Sequence, residues 1–174
     1  APEELLLGTQ SNLATTYASL GRHEQASQIE RDVYSGRLKL HGEEHLQTLT
    51  AGLNYSASLV NLGRFETAKE LSSKTLPVMR RVVGESHEIT LRMQWNYAQS
   101  LYMDPATGLD GLHEALTTLE DLIRIARRVL GGEHPTTVMV GRSLRNARYS
   151  RARAALRARE TPPARADAID ARGD

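Results

Sequence analysis

Three histidines recur next to glutamate in one short context: Gly42-Glu43-Glu44-His45, Gly84-Glu85-Ser86-His87 and Gly131-Gly132-Glu133-His134. Imidazole with carboxylate is a metal-ligand combination, so a zinc site is the first chemistry to test. The spacing argues against it. The histidines stand 42 and 47 residues apart, no pair has the i, i+4 spacing of a helical zinc motif, and the chain has no cysteine to complete a thiolate site. They read better as loop residues, each capping the helix that follows it. Nucleophilic chemistry is equally thin. No serine sits in a Gly-x-Ser-x-Gly elbow, and no Gly-x-x-x-x-Gly-Lys run could cradle a phosphate. These patterns lead us to expect no catalytic residue, no metal and no cofactor.

Two other groups point to binding. Arg92, Trp95, Gln99 and Tyr102 fall at i, i+3, i+7 and i+10, which is one stripe of a helix. A cation, an aromatic anchor and a carboxamide are the side-chain types that carry affinity in peptide grooves. The second group is a run of seven arginines from Arg142 to Arg159, with no acid before Glu160. It makes the chain asymmetric: through Val140 there are 13 Lys/Arg against 17 Asp/Glu, and from Gly141 onward 9 against 4, although the whole chain carries only +1. Arg142, Arg145, Arg148 and Arg151 could serve an anionic partner such as nucleic acid, lipid headgroups or an acidic protein. They could equally be the solvated last helix of the domain. Nucleic acid ranks below a protein partner, because only Tyr149 interleaves the arginines and single-stranded nucleic acid is bound by stacking. The terminal Arg172-Gly173-Asp174 matches an integrin-binding tripeptide, but a match of three residues is discounted as chance.

The elements that must position these residues are written in a period. Asn12, Asn54 and Asn96 are 42 apart, as are Gly21 and Gly63, Arg22 and Arg64, Glu24 and Glu66, and Ala26 and Ala68. A constant period of this length is the mark of a helical repeat array, in which each unit buries its faces only against its neighbours. Each unit divides into two helical patterns. In the second unit, Leu49, Leu53, Leu59 and Leu62 mark a helix from about Glu44 to Asn61, and a turn at Gly63-Arg64 follows. Phe65, Ala68, Leu71, Leu76, Met79 and Val83 then mark a second helix up to Gly84, with Pro77 expected to kink it. The third unit holds an insertion around Asp104–Gly108 before a partner helix from about Leu112 to Leu130, and a further first helix starts near Pro135. Small residues at Ala14, Ser56 and Ala98, and at Ala26, Ala68 and Ala115, stand where paired helices approach closely. The expected fold is all-α, with an array over 1–160 in units of about 1–42, 43–84, 85–131 and an incomplete 132–160. A disordered tail is expected over 161–174, after Thr161-Pro162-Pro163. With 40% apolar and 25% charged residues and no apolar run of membrane-spanning length, the composition suits a globular domain. The absence of cysteine is compatible with a reducing, cytoplasmic setting, and the start at Ala1 without methionine suggests a piece of a longer chain.

Asn12-Leu13-Ala14, Gly21-Arg22, Glu24 with Ala26, and above all Gly131-Gly132-Glu133-His134-Pro135-Thr136-Thr137 resemble the kinesin light chain variant of the tetratricopeptide repeat, over about Thr9 to Ala147. The resemblance implies a right-handed α-solenoid of antiparallel helix pairs whose first helices line a concave groove. It places Ser11, Thr15 and Ser19, then Leu53, Ala57, Val60 and Asn61, then Arg92, Trp95, Gln99 and Tyr102 on that groove. It reads Asn12, Asn54 and Asn96 as amides that bond backbone, either between helices or on a bound peptide. The family pattern usually has Asn before Asn-Leu-Ala, where this chain has Ser11, Leu53 and Trp95, a departure that puts in doubt the carry-over of the family's tryptophan-acidic peptide specificity. The implied function is a non-enzymatic module that binds a peptide or partner protein in the groove. Two alternatives stand beside it: an anion binder acting through Arg142–Arg159, and the sensor end of a larger signalling ATPase. Oligomeric state is left open.

Overall fold

In a computed structural model of the chain, residues 2–160 are described, and they form seven α-helices with no strand. The expected tail at 161–174 lies outside the described residues. Helices α1 (Pro2–Ser19) and α2 (His23–His41) are followed by α3 (Leu46–Asn61) and α4 (Phe65–Val82), then by α5 (Glu88–Tyr102) and α6 (Leu109–Val129), and last by α7 (Pro135–Glu160). The partner helix α6 begins at Leu109, ahead of the expected Leu112, because Gly108 at the end of the insertion is its N-cap, its carbonyl accepting from the Leu112 N–H at 3.1 Å. Helix α4 is continuous through Pro77. That proline is exposed, as is Ser73, whose carbonyl loses its usual i+4 donor.

Local chemistry sets the helix ends. Gly21, Gly42, Gly63, Gly84 and Gly131 follow α1, α2, α3, α4 and α6 with φ between 71° and 97°, a left-handed conformation that is costly for any residue with a Cβ. At the opposite ends the three histidines cap as expected: Nδ1 of His45, His87 and His134 accepts from the backbone N–H of Gln47, Ile89 and Thr136 at 3.2, 3.3 and 3.3 Å. Each bond satisfies one of the donors that a helix start leaves unpaired. Helix α5 ends differently. After Met103 the insertion turns on Asp104, whose Oδ1 accepts from the Ala106 N–H at 2.8 Å.

Short turns fold each helix back on the one before, and every consecutive pair packs. Ala14, Ser56, Ala98, Ala26, Ala68 and Ala115 are all fully buried, which allows the close approach their size implied. Between α3 and α4 the contact is polar as well as tight, with the Ser56 and Ser72 hydroxyls 2.9 Å apart. Beyond consecutive pairs, α3 packs on α5 and α5 on α7, while α2, α4 and α6 do not pack on one another. The first helices of the units are thus the inner layer, in which neighbouring units touch. The main core lies between α5, α6 and α7 and includes Leu91, Leu101, Leu119, Leu122 and Val140. Each buried leucine contributes about 1.5–3 kcal/mol relative to exposure.

Candidate functional site

A groove needs a row of side chains left uncovered along the inner layer, and the register supplies one. The positions of Gly8, Thr15 and Ser19 in α1 recur as Thr50, Ala57 and Asn61 in α3, as Arg92 and Gln99 in α5 and Met103 at its C-cap, and as Met139, Asn146 and Ser150 in α7. None of the twelve is buried. The surface is polar along α3 and α5, with a guanidinium at Arg92, carboxamides at Asn61 and Gln99, and an adaptable thioether at Met103. Arg92 is exposed and has no ion-pair partner among the described residues.

Several residues expected on the groove serve helix contacts instead. The Trp95 indole N–H donates to Ser143 Oγ of α7 at 2.8 Å, and the Tyr102 hydroxyl donates to the same oxygen at 3.1 Å. Tyr102 is buried and Trp95 is half-buried against the main core. Asn96 is buried and donates to the Leu53 carbonyl of α3 at 3.3 Å, the inter-helix role that its amide permits. Leu53 and Val60 are likewise core rather than groove wall. Asn12 remains exposed and Asn54 half-buried. For Trp95 and Asn96 the physical reason is that a helix stripe about 60° or less to either side of the inner row meets the neighbouring first helix, and the sequence period does not say which stripe that is; Val60 is instead covered by α4. Ser143 was not singled out in the sequence. Its signal is positional, since it stands nine residues after His134, as Asn96 does after His87.

The arginines of α7 are spread around the helix. Arg148 pairs with Glu120 of α6 at 2.9 Å, while Arg142, Arg145 and Arg151 are exposed. A cleft of about 600 Å3 between α4 and α6 is lined by Arg80, Gln94, Asp121, Arg124 and Arg128 among others. Its charges are largely matched within the chain, with Arg80 on Glu85 at 2.9 Å and Arg124 on Asp121. Nearby, Tyr97 donates to Glu114 Oε1 at 2.6 Å. Burial, then the Glu114 carboxylate, push its phenol up to about 12. At the other end α1 does not close on α3, and a cleft of about 560 Å3 lined by Glu4, Gly8, Ser11, Asn12 and Arg37 opens there. The three capping histidines are held at separate helix starts. Among the described residues no group of three or more His, Cys, Asp or Glu is placed to hold a metal ion, and no helix is long and apolar enough to cross a membrane.

Residues 6–47 match the family model of the tetratricopeptide repeat. Among solved structures, two crystal structures of a Podosopora anserina protein described as a kinesin light chain with nearly identical TPR-like repeats align with TM-scores of 0.67 and 0.64. Each is 21% identical and covers 88% of this chain and 70% of that one. BtubC (BKLC) from P. vanneervenii aligns with a TM-score of 0.64 at 21% identity, covering 94% of this chain and 68% of its own. At such identity the likeness is one of fold. A search of curated proteins finds no match.

Proposed function

We propose that the chain is an array of tetratricopeptide repeats of the kinesin light chain type and that it is a protein-interaction module holding a partner's peptide segment along the inner face of α3, α5 and α7, a reading supported by the repeat match and the likeness of fold. The observation that carries this reading is the inner row itself, in which three register positions stay uncovered in all four first helices. Asn61 and Gln99 can pair with peptide N–H and C=O groups in any sequence, and such contacts favour an extended segment. Arg92 adds a preference for a carboxylate near the middle of the segment, because an exposed guanidinium without a counter-ion gains most from a bidentate partner. Trp95 and Tyr102 hold α5 to α7 and so set the spacing of the groove walls. Catalysis is no part of the reading.

A peptide array probed with the labelled chain tests it. Bound peptides should be enriched in Asp or Glu, and the combined Asn61→Ala, Arg92→Ala, Gln99→Ala variant should lose them while melting as the wild type does. Retention of the same peptides by that variant would move the site off the inner face.

A further inference from the structure

The face of each first helix that its second helix covers is marked by three register positions. They are Leu7, Ala14 and Ala18 in α1, Leu49, Ser56 and Val60 in α3, and Leu91, Ala98 and Tyr102 in α5. At 100° per residue these lie within about 20° of one line along the helix. In α3 they meet α4: Ser56 touches Ser72, Val60 packs with Ala68, and Leu49 packs with Leu76 and Met79. The same positions in α7 are Val138, Arg145 and Tyr149, and no second helix covers them among the described residues. Tyr149 is 69% exposed, and Leu156, on the same line, is 58% exposed.

This bare face shares one feature with the covered ones and departs from them in another. It keeps apolar residues at Val138, Tyr149 and Leu156, the layout of a surface that receives a helix. It also puts an arginine at the position that is Ala or Ser in the other three units. An ordinary second helix crossing there would bury the Arg145 guanidinium beside a cleft whose acids, Glu120 and Asp121, already pair with Arg148 and Arg124, and a buried charge without its own partner is strongly unfavourable. A helix with a carboxylate opposite Arg145 would instead gain a charge-assisted hydrogen bond. The surroundings favour the same sign: residues 122–160 hold ten arginines and two acids. A bare polyanion would account for the arginines but not for the apolar line.

We propose that this face of α7 is the docking site for an acidic amphipathic helix of a protein partner, lying along α7 as α6 lies along α5. Its apolar side covers Val138, Tyr149 and Leu156, and its carboxylates meet Arg142 and Arg145. The surface is separate from the inner row.

The test uses the full chain and a labelled peptide copying residues 109–130, the helix that covers the equivalent face of α5, with Arg124, Arg127 and Arg128 each replaced by Glu. Fluorescence anisotropy should show binding that weakens as salt rises. Arg145→Glu and Tyr149→Ser, both exposed and so without effect on melting, should each weaken it about tenfold or more. A scrambled peptide of the same composition should bind at least about tenfold more weakly, because it keeps the charge and loses the apolar stripe. The inner-face triple variant should bind like the wild type, which separates this site from the groove. No binding by the wild type, equal binding of the scrambled peptide, or indifference to Tyr149→Ser would each overturn the proposal. Equal binding of the scrambled peptide together with tight binding of poly(U) would reassign the face to nucleic acid.

Discussion

Helices α1 and α5 hold the same place in their repeats, yet α5 packs on α3, α4, α6 and α7 while α1 packs closely only on α2. The consequences run residue by residue. Asn96 is buried and bonded to the α3 backbone, whereas Asn12, at the same register position, is exposed. Thr90 is fully buried, whereas Leu6, at the same register position, stands 57% exposed. In a solenoid, burial is a property of the neighbours a helix has and only partly of its own sequence.

Core truncation should separate the two helices most. Leu91→Ala should cost about 2–5 kcal/mol in urea unfolding, because the cavity lies in the main core. Leu13→Ala should stay within about 0.5 kcal/mol. Similar losses for both would mean that Leu13 is covered by a neighbour that the packing of α1 on α2 does not supply. The asparagine pair should separate next. Asn96→Ala leaves the Leu53 carbonyl without this donor and should cost about 1–3 kcal/mol. Asn12→Ala should again be near neutral, and the comparison fails if the order reverses.

Removing a cap sharpens the same contrast at one helix start. His87→Ala should cost about 0.5–2 kcal/mol and speed amide exchange in the first turn of α5, since Nδ1 accepts from Ile89. Unchanged exchange at Ile89 would show that the bond contributes nothing.

The smallest effect concerns α2, the helix on which α1 rests. Glu30 is nearly buried with Oε2 unpartnered, and its carboxyl is raised above the ordinary glutamate value by desolvation, partly offset by a hydrogen bond with Ser58. A carboxyl raised in the folded state favours folding in its protonated form. That stabilisation is complete below the unfolded carboxylate pKa and is lost as pH rises through the higher folded value. Glu30→Gln should therefore be more stable than wild type at neutral pH, and its advantage should shrink as the solution is acidified. A constant difference across that range would remove Glu30 from the pH dependence.

Much of the fold was legible because its signals are local. The glycines after five helices, the histidines before three and the small residues at the helix contacts each act through neighbours a few residues away or one fold-back distant. The proposed groove was legible only in part. Arg92, Gln99 and Asn61 remain on the inner row, but Trp95, Tyr102 and Asn96 turn toward α7 and α3, and Ser143, which two of them share, was not foreseen.

The amino-acid sequence by itself determined the period, the helix ends and which positions must be small, since turn conformation, capping and close approach are each settled by a residue's own size and backbone preference. Tertiary structure decided which copy of a repeated position is buried. Asn12 and Asn96 are the same residue at the same place in the repeat, and they differ because a first helix packs beside one and leaves the other open to solvent. It also decided that Arg145 is exposed where Ala98 is enclosed, because a second helix covers that face of α5 and none among the described residues covers the same face of α7.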